Sequence, residues 1–338
     1  MKGLNITLIV ITLVLVAQSI HAQNIFYVTT AGTGQGTSWE DSSSDINAVL
    51  FAAKPGDMVW VAKGTYTPTP DNNRNTAFMM PSDVKMYGGF AGTETELNQR
   101  NHTANTTILS GAIGTPSTAD NSYNVVVFRH ASAATVLDGF TITDGTGNGD
   151  GTTGDRNRCG GGIYNDGAGR GNSSTPSVAN CTFINNISRD GGAVYNNGIS
   201  GKANATFTDC VFSGNQADFD GGAIFNDGRK GGQSNSTFIN CEISGNTANY
   251  GGGVINYAGA GESSPIFENC LFSNNQAKVR GGGVYNMDVE GVCEPMIKHC
   301  AFAQNDASTG ASMENLSTVR PSQKREQFAL QAPREWSN

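Results

Sequence analysis

One set of residues has the types and the spacing for acid–base chemistry. The residue immediately before each recurring Gly-Gly pair forms a column, in the order Cys159, Asp190, Asp220, Tyr250 and Arg280. If each pair belongs to one coil of a stacked fold, Asp190 and Asp220 lie ~5 Å apart and can share a cation or a proton. The pair could hold Ca²⁺ against a uronate, with Arg280 as base or charge stabiliser. The alternative is a solvent-exposed turn column that tolerates any polar residue.

A second group of oxygen donors has the spacing of a calcium loop. Oxygen-bearing side chains stand at positions one, three, five, seven and twelve of this segment, with Gly149 at position six; they are Asp144, Thr146, Asn148, Asp150 and Asp155. This layout would suit Ca²⁺, and apart from such an ion we expect no cofactor. The alternative is a Gly/Asp-rich surface insertion, because no helical segment flanks it and Asp155 is shorter than the usual bidentate Glu.

A third column is aromatic and could bind sugar rings. Its members are Tyr164, Tyr195, Phe225, Ile255 and Tyr285, and each follows an apolar residue of the series Ile163, Val194, Ile224, Val254 and Val284. Adjacent residues of a strand face opposite sides, so one column is interior and the other faces outward. Tyr164, Tyr195, Phe225 and Tyr285 are therefore the predicted ligand-binding residues. Packing under neighbouring loops is the alternative.

These columns depend on two short blocks that recur about every 30 residues. The first block runs from CTFINN at Cys181 to CAFAQN at Cys300, and the second from GGGIYN at Gly160 to GGGVYN at Gly281. The second block ends in an Asn column of Asn165, Asn196, Asn226, Asn256 and Asn286, with a decayed copy at Asn315. Both blocks are too short for helices and are bounded by turn residues. Stacked coils would give each strand two parallel neighbours, and turn-forming Asn would bond its stacked copy.

Five of the seven cysteines belong to this repeat, namely Cys181, Cys210, Cys241, Cys270 and Cys300. We interpret them as a stack of small buried residues, because five stacked cysteines cannot all pair within the stack. Cys159 and Cys293 fall outside the stack, and the sequence leaves open whether they form a disulfide.

The repeat predicts an all-β fold, a right-handed parallel β-helix with a short N-terminal capping helix. Residues 24–140 form irregular coils and residues 141–318 form regular repeats, so that 23–318 is one domain. The helix is predicted in INAVLFAAKPGD, where Ile46, Val49, Leu50 and Ala53 have helical spacing. Such a helix would cover one open end of the core.

The N-terminal segment predicts export. Residues 1–22 have the layout of a signal peptide, with Lys2 before an apolar run and small residues after it. Its removal leaves 20 basic against 29 acidic residues, a net charge of −9, which disfavours nucleic acid as a partner. We expect no transmembrane segment, a monomeric protein, and disorder in residues 319–338.

The paired blocks resemble the repeats of bacterial polymorphic outer membrane proteins. The N-terminal segments AAKPGDMVWVAKGTYTPT, VKMYGGFAGTET and DGFTIT resemble secreted proteins of the pectin-lyase-like β-helix group. Together the resemblances cover roughly residues 24–315. They imply a right-handed coil and a secreted or cell-surface location.

We therefore expect a secreted or surface protein that is adhesin-like or glycan-binding and non-catalytic. Its partner would be an extracellular polysaccharide or another host or cell-surface ligand. A polysaccharide lyase or glycoside hydrolase acting on an acidic polysaccharide is the alternative, and a structural spacer is a third. The fold does not discriminate among them, because one scaffold can carry many functions.

Overall fold

A computed structural model describes residues 23–115 and 117–317. The predicted signal peptide (1–22) and C-terminal tail (319–338) lie outside the described residues. The described chain is an all-β parallel solenoid of about 10 turns, which confirms the predicted fold class. Within these residues, no helix is long and apolar enough to cross a membrane.

Four long sheets run along the solenoid, and all their strand pairs are parallel. Sheet 1 has nine strands, Ile25–Val28, Met58–Ala62, Lys85–Phe90, Val136–Asp138, Ser177–Ala179, Thr206–Thr208, Thr237–Ile239, Ile266–Glu268 and Met296–Lys298. Sheet 2 has eight, Gly64–Tyr66, Thr107–Ser110, Thr141–Thr143, Thr182–Ile184, Val211–Ser213, Glu242–Ser244, Leu271–Ser273 and Ala301–Ala303.

Sheets 3 and 4 complete the coil and carry the predicted columns. Sheet 3 has six strands, Thr146–Gly147, Ile187–Asp190, Gln216–Asp220, Thr247–Tyr250, Gln276–Arg280 and Asp306–Thr309. Sheet 4 has eight, Phe78–Met80, Val126–Arg129, Ile163–Asp166, Val194–Asn197, Ile224–Asp227, Val254–Gly259, Val284–Val289 and Met313–Ser317. Beyond sheet 4, Ser173–Ser174 pairs with Lys202–Ala203.

Few helices interrupt the coils. The α-helix Ile46–Ala52 is capped by the Asp45 carboxylate, which accepts a hydrogen bond from the Ala48 amide at 3.0 Å. It buries Ile46, Val49 and Leu50 against the core, which confirms the predicted helix. Three single-turn 3₁₀ helices lie in connections, at Leu97–Gln99, Thr118–Asp120 and Arg156–Arg158.

The interior is filled by like residues stacked on like. Phe183 lies 4.7 Å from Phe212 and Phe238 lies 4.8 Å from Phe267, between ring centroids, with nearly parallel rings. Cys181, Cys210, Cys241 and Cys270 are buried in the same core, and Cys300 of the last coil is partly exposed. All seven cysteines are free thiols, which confirms the stack. Cys159 and Cys293 therefore do not form a disulfide in this structure.

Two asparagine ladders satisfy the amides at the turns. In the predicted column each Nδ2 donates to the Oδ1 of the next coil at 2.7–3.0 Å, from Asn165 to Asn315. A second ladder ends the Cys-containing block, at Asn186, Asn215, Asn246, Asn275 and Asn305, with Nδ2–Oδ1 distances of 2.9–3.1 Å. The first ladder begins at Asn165 because the residue opposite in the preceding coil is Phe128, which leaves Asn165 Oδ1 buried without a partner within the described residues.

We predict that Asn226→Ala destabilises the protein by about 1–3 kcal/mol, because Asn226 is buried and its loss leaves the amides on both sides without a partner. Asn315→Ala is the matched control, since Asn315 is exposed in the last described coil. Thermal or denaturant unfolding of the two variants checks this. Equal losses of stability would contradict the ladder's structural role.

A second prediction concerns the glycine that turns the chain from sheet 3 into sheet 4. Gly221 has φ +67°, and a Cβ there would lie 2.4 Å from the Ile224 carbonyl oxygen. Gly231 also has positive φ, +74°, but its nearest atom would lie at 4.0 Å. Gly221→Ala should therefore cost about 1–3 kcal/mol more in unfolding free energy than Gly231→Ala. Similar unfolding midpoints would show that the turn relaxes freely.

Candidate functional site

The predicted column before the Gly pairs exists, but it does not bring all its charged members together. Asp190 lies directly opposite Asp220 in sheet 3, and Cys159 lies opposite Asp190 in the preceding coil. Tyr250 separates Asp220 from Arg280. Arg280 Nη1 instead donates a hydrogen bond to Glu314 Oε1 at 2.8 Å. The carboxyl pair is therefore formed as predicted, whereas the expected convergence of Arg280 on it is wrong.

The glycine turn explains why these carboxyl groups are enclosed. Gly191 adopts φ +63° directly after Asp190, and a Cβ there would lie 2.3 Å from the Val194 carbonyl oxygen and 3.2 Å from Phe225 Cβ. The bend thus packs directly against the outer side of sheet 4. Asp190 is fully buried and Asp220 is half-buried at this corner, so the expected solvent-exposed turn column is not what forms.

Three further charged residues complete the group that we call the carboxyl cluster, which consists of Arg189, Asp190, Asp220, Asp227 and Arg229. Arg189 Nη1 donates to Asp190 Oδ2. Arg229 donates to both oxygens of the buried Asp227, from Nε at 2.8 Å and from Nη2. The Tyr195 hydroxyl also donates to Asp227 Oδ2. Asp227 is therefore fully satisfied, whereas Asp190 Oδ1 is buried and has no hydrogen-bond partner in the described part of the chain.

Burial dominates the acid–base properties of the cluster. It raises the pKa of Asp220 to about 7, with the charge of Asp190 as the second cause. Burial also raises the pKa of Asp190, although the guanidinium of Arg189 opposes this. The pKa values of the Cys159 thiol and the Tyr195 hydroxyl are raised well above their ordinary values, first by burial and then by a neighbouring carboxylate. A carboxyl group of the cluster can thus retain a proton at neutral pH.

The prediction that the aromatic column faces solvent is wrong. Tyr164, Tyr195, Phe225 and Tyr285 are 4, 0, 1 and 3 % exposed and form a second apolar cluster on the outer side of sheet 4. The alternation was predicted correctly, since Ile163, Val194, Ile224, Val254 and Val284 face the main core. The other side is covered by the glycine turns and by the loop that contains Gly154, whose carbonyl accepts a hydrogen bond from the Tyr164 hydroxyl at 2.7 Å. These rings have no free face for a sugar.

The oxygen donors of the predicted calcium loop are engaged with separate partners. Asp144 Oδ2 accepts from the Ser110 hydroxyl, and Asn148 Oδ1 accepts from Arg74 Nη2 at 2.6 Å. Asp155 Oδ2 accepts from the backbone and hydroxyl of Thr152. Thr146 is buried in a strand of sheet 3, and Asp150 is exposed. Within residues 23–115 and 117–317, no three His, Cys, Asp or Glu side chains are grouped to hold a metal ion.

The outer face of sheet 3 is a feature that sequence reasoning missed. Phe219 is 46 % exposed on this face, and the Arg189 guanidinium carbon lies 4.4 Å from its ring centroid. Beside them a row of residues runs in register from Ile187 through the polar residues Gln216, Thr247, Gln276 and Asp306. A signal was available, because the residue after each of the last four is a buried or half-buried alanine, the mark of a strand with one free face.

An open groove lies beside the carboxyl ends of several sheet 4 strands. One part, of about 480 Å³, is lined by Arg129, His130, Tyr164, Asp166 and Asn197, among others. A second part, of about 720 Å³, includes Arg170, Lys202, Gln233 and Glu262. Asn172 lines both parts. The groove contains both cationic and anionic side chains, and Arg129 is paired with Asp166 at 3.4 Å, so neither sign of charge dominates.

Comparison with known proteins agrees with this architecture. The family model of the Chlamydia polymorphic membrane protein (Chlamydia_PMP) repeat matches residues 180–197, 209–227 and 269–287. Each match contains a strand of sheet 2, a strand of sheet 3 and the following Gly-Gly turn. No curated protein sequence matches the chain.

Solved structures show similarity in fold. The crystal structure of pectate lyase Pel9A is 13 % identical, with a TM-score of 0.51 over 91 % of this chain and 80 % of that chain. A pectin methylesterase from Aspergillus niger is 15 % identical, with a TM-score of 0.41 over 88 % of this chain and 91 % of that one. The chain is therefore a pectate-lyase-like parallel β-solenoid that carries repeats matching those of the Chlamydia polymorphic membrane proteins.

Proposed function

We propose that the protein is an exported, surface-exposed and non-catalytic solenoid that binds a polysaccharide on the outer face of sheet 3. The observation that carries this proposal is the exposed Phe219 ring, held by Arg189 beside the polar row of Gln216, Thr247 and Gln276. The repeat matches support a surface location, because the family that they match is described as membrane proteins.

The chemistry of the face suits a carbohydrate chain. An aromatic ring with a free face stacks on the apolar side of a sugar, and amide and hydroxyl side chains bond its hydroxyl groups. Neighbouring coils repeat these groups every ~4.8 Å, a spacing close to one hexopyranose unit. The exposed charged residues on the face are Asp218, Lys278 and Asp306, because Arg189 is paired with the buried Asp190. A neutral chain lying along the solenoid axis therefore fits better than a polyanion.

The contacts of the charged column favour binding over catalysis. Arg280, the residue expected to act as a base, is engaged by Glu314, and Asp190 is enclosed behind the turn. The alternative, a lyase or hydrolase acting on an acidic polysaccharide, draws its support from Asp220, because a half-buried carboxyl group with a pKa near 7 suits a general acid.

The test compares two Phe→Ala variants of the purified protein on immobilised laminarin, xylan, alginate and polygalacturonate. Phe219→Ala should weaken retention on the preferred polymer about tenfold, because the stacking surface is lost. Phe51→Ala is the control, since Phe51 is 94 % exposed on the capping helix, away from sheet 3.

Equal retention of the two variants would remove sheet 3 as the binding face. Release of unsaturated or reducing ends from any of the four polymers, abolished by Asp220→Asn, would establish the enzymatic alternative instead.

A further inference from the structure

The carboxyl cluster has one negative charge more than it can compensate. Asp190, Asp220 and Asp227 face only Arg189 and Arg229, so full ionisation leaves one buried charge without a partner. Burying an unpaired charge is costly, and such a group takes up a proton instead. The cluster is neutral when it holds a single proton.

The hydrogen bonds indicate where that proton lies. The Asp227 carboxylate accepts four hydrogen bonds, three from Arg229 and one from Tyr195, and needs no proton of its own. Asp190 uses Oδ2 to accept from Arg189, and its buried Oδ1 has no partner in the described residues. The residue directly opposite Asp190 in the parallel ladder is Asp220. A protonated Asp220 would provide the donor that Asp190 Oδ1 lacks.

We propose that Asp190 and Asp220 hold one proton between them, and that its release moves Arg189 away from Phe219. Arg189 links the two sites, because its guanidinium donates to Asp190 and lies over the Phe219 ring. When Asp220 ionises, two carboxylates compete for this guanidinium and draw it inward. The ring then loses the cation that holds it, so glycan binding weakens as the pH rises; this consequence rests on the proposed function.

The other ionisable groups near the pair do not account for a titration near neutral pH. The charged and ionisable groups that act on or face Asp190 or Asp220 are Arg189, Arg229, Asp227, Cys159, Tyr250 and Tyr285. Near neutral pH a guanidinium group is charged and a phenol is protonated. Burial also raises the pKa of the Cys159 thiol and of the Tyr285 hydroxyl. Asp220 is the remaining group that titrates near neutral pH, with a pKa of about 7.

The sign of the pH effect follows from this raised value. An acid whose pKa is higher in the folded state than in the unfolded chain stabilises the fold at low pH, and that stabilisation is lost as the pH rises from 3.8 to about 7. The melting temperature of the wild type should therefore fall between pH 5 and pH 8, on the order of a few degrees. Asp220→Asn keeps a donor for Asp190 Oδ1 and should abolish this fall.

Melting curves of three proteins test the shared proton without any ligand. Glu242→Gln is the matched control, because it neutralises an exposed carboxylate on sheet 2 and should keep the wild-type slope. All three proteins contain the same histidines, so any contribution of these residues to the pH dependence cancels in the comparison. An equal pH dependence in wild type and Asp220→Asn would overturn the proposal.

A fluorescence titration tests the link to the surface. Phe219→Trp places an indole beside Arg189, and its emission should change with a midpoint near pH 7. The double variant Phe219→Trp/Asp220→Asn should show no such change, and a midpoint that survives there would refute the coupling. If both tests succeed and no polysaccharide is retained, the proton-sharing pair stands and the proposed function fails. If a polymer is retained, its affinity should be several-fold higher at pH 5.5 than at pH 8.5 in wild type alone.

Discussion

In-register parallel stacking of one coil on the next is the constraint on which the rest of the structure depends. It places each residue beside its counterpart one repeat later, so that the same side-chain contacts recur from coil to coil. Phenylalanines stack on phenylalanines, and asparagine amides bond their copies along two ladders. Backbone pairing between coils then supplies much of the order in a chain with only 37 % hydrophobic residues.

The same constraint creates the unusual chemistry of the carboxyl cluster. Stacking like on like is favourable for phenylalanine and asparagine, but it places Asp190 against Asp220, where two carboxylates repel each other. Burial, and then the charge of Asp190, raise the pKa of Asp220 to about 7, while Arg189 offsets the charge of Asp190. The next two residues of the column are Tyr250 and Arg280, so the repulsion between stacked carboxylates does not continue there. The acidic pair is thus confined to two coils.

Both sides of sheet 4 are covered, so we look for a binding surface on another sheet. Its inner residues fill the main core, while its outer aromatics are sealed by the glycine turns and by the loop that contains Gly154. Sheet 3 differs, because its alanine column faces inward and its long side chains face outward. The exposed Phe219 and its Arg189 partner therefore lie on a face that the rest of the coil leaves uncovered.

The spacing of the blocks determined the coil and the stacking columns, because in-register stacking converts a local period directly into neighbouring residues. The capping helix followed from the helical spacing of Ile46, Val49 and Leu50. The spacing of the blocks therefore predicted that Asp190 meets Asp220 and that Asn226 meets Asn256. It did not predict what covers Tyr195, how Arg280 pairs with Glu314, or that Asp144 and Asn148 are taken by Ser110 and Arg74. Those contacts join segments that have no fixed spacing in the repeat. Whether an outward-facing side chain meets solvent or another loop depends on how the loops fold over the sheets, and only the tertiary structure decided that.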